Sequence, residues 1–207
     1  RCDALASIAK ISKGHHLKWG NVHSQLVNVI LNALSDGDMT VQLSACDALR
    51  CILAERTASL SNMLDIVVYR LIDAVENSVM EIQNALRGTL ESMVKMFKPS
   101  NILKSLLPML NTLNGYQLQI VLNQICKIIS RLATGTLLDA LPEIMPQVIH
   151  AMENEEASIR KEAVFCFVEA YFALGENVMP YFEQLSIAQR KLLTIYVKKR
   201  KQKVVEV

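Results

Sequence analysis

LPEIMPQVIHAMENEEASIRKEAVFCFVEAYFALG, residues 141–175, reads as two apolar-periodic segments, 141–152 and 159–174, on either side of the acidic run Glu153-Asn154-Glu155-Glu156. Burying that run without partners is costly, so it is a solvated turn. In the second segment Ile159, Ala163, Cys166, Phe167, Ala170 and Leu174 recur at three- and four-residue intervals, one stripe of a 3.6-residue helix. Arg160, Lys161, Glu162 and Glu169 fall between them. The stretch is a helix, a turn and an antiparallel helix. One hairpin cannot cover both apolar stripes, so it requires neighbours of the same kind.

Composition supplies material for them. Of 207 residues, 51% are apolar and 20% charged, enough for a core and too apolar for a disordered chain. Seven Gly, five Pro and nine Met, with few β-branched runs, point to an all-α chain with short connections. One domain over 1–207 is expected, cut from a larger protein, because the chain opens on Arg1-Cys2-Asp3 with no initiator Met or apolar leader. Cys2, Cys46, Cys51, Cys126 and Cys166 are odd in number, scattered and mostly on apolar faces, as expected of reduced thiols in a cytosolic protein. No run approaches the roughly 18 apolar residues of a membrane span.

Outward from 141–175 the periodicity predicts helices over 1–13, 21 or 24 to 34, 39–55, 60–76, 79–97 (ended by Pro99), 101–112 and 116–133. A helix over 136–152 is broken at Pro142 and kinked or restarted at Pro146, a short one covers 176–184, and the last spans 186–201. Turns at Gly37, Asn77, Gly115 and Asn154 are spaced by 40, 38 and 39 residues. After each turn one pattern recurs: Val41-Gln42-x-x-Ala45, Ile82-Gln83-x-x-Leu86, Leu118-Gln119-x-x-Leu122, Ile159-Arg160-x-x-Ala163. A packing residue followed by a long polar one able to lie over a helix end, at a period near 40 with two helices per unit, describes an α-solenoid of HEAT repeats. About five to six repeats fit the chain, counting partial terminal units.

The formal charge of +2 is unevenly spread. Arg190, Lys191, Lys198, Lys199, Arg200, Lys201 and Lys203 hold seven of the 22 basic residues, leaving 15 basic against 19 acidic groups in 1–189. A basic tail, 198–207, follows a mildly acidic body and gives the last helix the polar outer face a solenoid end requires. In a solenoid the turns line up along one edge, which here carries Asp36, Asp38, Glu76, Asn77, Asn114, Asn154 and Glu155, with Arg160 and Lys161 the nearest cations.

No constellation for catalysis is evident, so an enzyme is not expected. His15, His16 and His23 with Cys2 lack the paired spacing of a zinc site and read as surface histidines. Glu153, Glu155 and Glu156 lack the EF-hand spacing, and no phosphate-cradling glycine motif occurs, so no metal or cofactor is expected. A net acidic body without interleaved aromatic and basic residues argues against nucleic acid.

Leu141-Pro-Glu-Ile-Met-Pro, Ser158-Ile-Arg-Lys-Glu-Ala-Val-Phe-Cys-Phe-Val, Met179-Pro-Tyr-Phe-x-Gln-Leu and Lys191-Leu-Leu-x-Ile-Tyr-Val-Lys-Lys resemble the C-terminal domain of the CLASP (CLIP-associating) microtubule regulators. The likeness is dense over 137–202 and thinner over 1–136. It implies a TOG-like HEAT array that docks protein partners, among them CLIP-type plus-end proteins and kinetochore or cortical adaptors. Other domains of such a protein would engage microtubules, and its place would be the cytoplasmic cytoskeleton: plus ends, spindle and kinetochore. Tubulin-binding TOG domains present an aromatic residue on the first turn and basic residues on later ones. Here the turns carry Asp36, Asp38, Glu76, Glu153, Glu155 and Glu156, and Trp19 is expected on the opposite edge. Weak or no tubulin binding is therefore expected, with partners taken by Arg190, Lys191, Lys198, Lys199 and Arg200. The alternative is a TOG domain that binds tubulin directly.

Overall fold

Aliphatic residues spaced by three and four leave a chain one economical way to bury them, as helices packed face to face, and all regular structure among the described residues is helical. The computed structural model describes residues 1–13, 22–76 and 78–205, with side chains for all of these except 23, 56, 59 and 203–205. His15, His16, Trp19, Asn21 and Asn77 lie outside the described residues, as does the side chain of His23. The chain divides into two compact units, Arg1–Ser105 and Leu106–Val207.

In the first unit α1 (Cys2–Ser12), α3 (Met39–Leu60) and α5 (Met80–Met96) pack side by side as one layer. A second layer is formed by α2 (Val22–Ala33), seated on α3 and touching α4 (Leu64–Asp73), which packs on α5. The core between them includes Ile30, Leu34, Leu49, Ile52, Leu71, Ile82 and Leu86, all at most 1% exposed. Next comes α6 (Pro99–Leu106), where Pro99 both closes the run of α5 and opens a new helix, its missing N–H being one that a first turn does not use. The stretch expected to be one helix over 101–112 becomes α6 and a 3₁₀ turn, Leu107–Asn111, because Pro108 has no N–H to continue the α-helical ladder.

In the second unit α9 (Ala157–Leu174) is central, packed by α7 (Gly115–Ile129), α8 (Thr134–Ala151) and α11 (Ile187–Val205). Between α9 and α11 lie a 3₁₀ turn, Gly175–Val178, and the single turn α10 (Met179–Phe182). The expected stripe Ile159, Ala163, Cys166, Phe167, Ala170 and Leu174 is buried throughout, but so are Val164, Val168 and Glu162, so α9 is enclosed on nearly every side. Gly175 ends it at φ 56°, a conformation that side-chain-bearing residues resist.

One expectation fails at α8, which is not broken at Pro142 but runs from Thr134 to Ala151 through both Pro142 and Pro146, with no new helix start at the second. Both prolines are exposed, so the carbonyls of Leu138 and Pro142, deprived of their helical donors, lie on a side of α8 where water can replace them.

The sequence period is also a distance in space. Arg70 donates to the Leu31 carbonyl (3.2 Å) and to Asn32 Oδ1 (3.3 Å), residues 39 and 38 earlier. Ser105 donates to Asp65 Oδ1 at 2.5 Å, 40 residues earlier. In the second unit Asn123 donates to Glu162 Oε2 at 3.0 Å, 39 residues later. The long polar residue of the recurring motif closes a preceding helix or turn at two starts: Gln83 donates to Val75 O (3.2 Å), and Arg160 to Asn154 O (2.8 Å) and Glu155 O (2.7 Å).

Truncation of Phe167 and relief of Pro142 should act in opposite directions. Phe167→Ala is expected to cost about 3–5 kcal/mol, whereas Pro142→Ala should raise the chemical-unfolding midpoint by adding about 1–3 kcal/mol. A Pro142→Ala variant with a lowered midpoint would contradict the solvated account of α8.

Candidate docking surfaces

Within the first unit the turns before α3 and α5 come together along one shallow groove, lined by Asp36, Gly37, Met39 and Gln42 on one side and Asp73, Glu76, Ser78 and Val79 on the other. Its carboxylates are not equally free. Asp36, 13% exposed at its side chain, is paired with the Arg1 guanidinium and accepts the Asp38 N–H at 2.9 Å. Asp38 caps α3, and the Thr40 backbone N–H, 2.8 Å from its Oδ1, holds its carboxyl below the ordinary 3.8. Glu76 is exposed. The same edge presents Met39, Val79 (51% exposed) and Met80 (67%), an apolar component that reading the turns for charge alone overlooks.

In the second unit the turns before α7 and α9 also adjoin: a Cβ on Gly115 would stand 3.7 Å from Glu156 Oε1. Asn114 is the exposed residue preceding α7. Asn154 turns its side chain inward to accept the Glu156 N–H (2.9 Å), while Glu153, Glu155 and Glu156 face solvent. The two cations expected here serve the domain itself, Arg160 through the turn carbonyls and Lys161 with its ammonium 5.7 Å from the Phe165 ring centroid.

The five basic residues singled out in α11 separate into two groups. Arg190 donates to Leu185 O (2.8 Å) and Glu183 O (2.7 Å) and lies over the Phe182 ring, closing the end of α10. Arg200 pairs with Glu169 and stacks on Phe172 at 4.6 Å. Lys191, Lys198 and Lys199 are exposed. Beside them stand Ile187 (73% exposed), Leu192 and Ile195 (50%), whose spacing with Lys191 was visible in the sequence but was masked by the density of charge.

A mixed groove crosses α7, α9 and α11, with Phe165, Glu162 and Glu169 on its floor and Asn123, Cys126, Tyr196 and Lys199 on its walls. Glu162, only 9% exposed, was not foreseen as a buried carboxylate; its position between Lys161 and Ala163 gives no sequence signal beyond its 39-residue offset from Asn123. The Cys166 thiol beneath is wholly enclosed and donates to Leu122 O at 3.2 Å; burial first, then the neighbouring Cys126 thiol, raises it well above its usual range. Burial raises Cys46 to about 11. All five cysteines are free thiols. Among the described residues no cluster of three or more His, Cys, Asp or Glu could hold a metal ion, and no helix is long and apolar enough to cross a membrane.

Two measurements check this chemistry. An aromatic disulfide reagent at mildly alkaline pH should label the half-buried Cys2, Cys51 and Cys126 ahead of Cys46 and Cys166, and simultaneous labelling of all five would contradict their burial. Because the Asp38 carboxyl titrates lower in the folded chain, its contribution is present above about pH 3.8 and disappears as pH falls through the lowered value. Asp38→Ala should therefore lower the melting temperature at neutral pH, with a gap to the unaltered chain that closes in acid.

No family model matches the chain. It is 28% identical over 201 residues to CLIP-associating protein 1-B of Xenopus laevis, covering 96% of this chain and 14% of that protein. CLIP-associated protein of Arabidopsis thaliana is 28% identical over 178 residues, 86% of this chain and 12% of that protein. The chain thus spans about a seventh of the length of the curated relatives it matches. Among solved structures, a TOG domain of crescerin superposes with a TM-score of 0.77 at 12% identity, covering 96% of this chain and 84% of that one. A microtubule polymerase with TOG domain arrays gives 0.81 at 16% identity, covering 96% and 43%. At these identities the structural likeness is one of fold: an α-solenoid of HEAT-like helix pairs. Joined to relatives that align with almost the whole chain, it supports a TOG-like domain similar to those of the CLIP-associating proteins (CLASPs).

Proposed function

We infer that this domain is a non-catalytic docking module of a microtubule-associated CLASP protein, holding CLIP-type plus-end proteins or kinetochore and cortical adaptors while other parts of the protein engage microtubules. The observation that carries this reading is α11, which turns Lys191, Lys198 and Lys199 to solvent and has no Asp or Glu from residue 187 to 205. The names of the relatives support the CLIP-type partner. Its place would be the cytoskeleton, at plus ends, spindle and kinetochore.

Direct tubulin binding is the second reading. The polymerase structure comes from work on tubulin recruitment by TOG arrays. In this chain the pairing of Asp36 with Arg1 reduces the negative charge of the first turn, beside exposed Met39 and Met80. Against it, Glu76, Glu153, Glu155 and Glu156 remain on the turns, and Arg160 is held by its own turn.

Size-exclusion with a purified CLIP-type protein and, separately, with soluble tubulin decides between them. Co-elution with the former, lost in Lys191→Glu/Lys198→Glu/Lys199→Glu and weakened by added salt, is expected. Co-elution with tubulin that survives those changes and is lost in Met80→Glu would replace docking by direct tubulin binding.

A further inference from the structure

A helix inside a solenoid is covered on both flanks, as α9 is by α7 and α11. Among the described residues α11 packs on α9, and the flank it turns away from α9 is not purely polar. It packs inward through Leu193 and Tyr196, the latter edge-on to Phe165 at 5.5 Å, while Ile187 and Ile195 point away at 73% and 50% exposure. At 3.6 residues per turn Ile187, Lys191, Ile195 and Lys198 fall within an arc of about 80°. The free flank is an apolar ridge set among cations.

We propose that this flank of α11 seats an acidic amphipathic helix of a partner protein, which stacks on α11 as α11 stacks on α9. The proposal rests on the docking reading above and names the partner's chemistry. Two apolar positions eight residues apart with a lysine between them match the ridge-and-groove spacing of a helix better than the two-residue alternation of a strand. Charge selects the occupant. A second copy would bring the Lys191, Lys198 and Lys199 of both faces together, a like-charge juxtaposition, whereas a helix with carboxylates flanking its apolar stripe would complement them. Arg190 and Arg200 are tied to Glu183 O and Glu169, so they brace α11 and leave the lysines to the partner.

Fluorescence anisotropy on the whole chain tests this with three labelled peptides of about 20 residues: a leucine-striped helix with glutamates on its other faces, its lysine counterpart, and the glutamate peptide in scrambled order. The ordered glutamate helix should bind about tenfold or more tighter than the other two. Ile187→Asp/Ile195→Asp should weaken it at least about tenfold, with unchanged circular dichroism, and Ile195→Ala should weaken it less. Ile66→Asp, at an exposed site of the first unit, should leave it unaltered. Equal binding of the scrambled peptide, indifference to the α11 changes, or a chain dimer dissolved by Ile187→Asp/Ile195→Asp would overturn the proposal. If no peptide binds but the CLIP-type protein is still captured and then lost in the lysine variants, the docking reading stands and the acidic helix falls. Capture that survives every α11 variant removes both.

Discussion

An amphipathic helix can satisfy its apolar face only against another helix, and in the second unit every other element depends on how that need is met at α9. With nearly all of its circumference buried, α9 leaves α7, α8 and α11 little choice of position. Each supplies a stripe that fits one flank, and the pairings fix the order of the stack. The first unit solves the same problem with α3, which buries Val41, Ala45, Leu49 and Ile52 and is packed by α1, α2 and α5. A burial of about 1.5–3 kcal/mol for each large apolar side chain, repeated over such faces, is what opposes the chain entropy of so many ordered residues.

Polar residues divide their labour accordingly. Asp36, Asp38, Arg160, Arg190 and Arg200 look in the sequence like surface charge, and each is consumed by a cap, a turn or a brace. Of the charged residues expected at the docking surfaces, those left to solvent are a smaller set: Glu76 and the glutamates at 153, 155 and 156 on the turns, and Lys191, Lys198 and Lys199 on α11. A charged side chain near a helix end finds unsatisfied backbone groups within reach, so proximity to a terminus is a better guide to its use than its charge. The surfaces open to partners are correspondingly less charged and more apolar than composition suggests.

Much of this was legible beforehand. The turn spacing and the stripe on α9 are local patterns, and local patterns survive into the fold. Pro142 misled because the proline rule is written for a helix whose carbonyls have nowhere else to turn, and the sequence does not say which side of α8 is wet. Glu162 misled for the opposite reason, since a carboxylate between alanine and lysine carries no sign that an amide 39 residues away will meet it in the interior. Ile187 and Ile195 were hidden by their neighbours, as a run of lysines reads as a solvated face whatever stands between them. The pairing of helix ends by Gln83 and Arg160, by contrast, followed from a residue type recurring at one place in the motif.

The Asn123–Glu162 contact restricts how this chain can vary. A residue inserted between Ala157 and Glu162 would rotate the carboxylate by about 100°, away from its amide and into apolar neighbours. An insertion in the turn at 152–156 could be absorbed without that rotation. Drift in repeat length is thereby steered into the loops, and the rim of the domain is where related chains are free to diverge in size while the stacked helices keep their count.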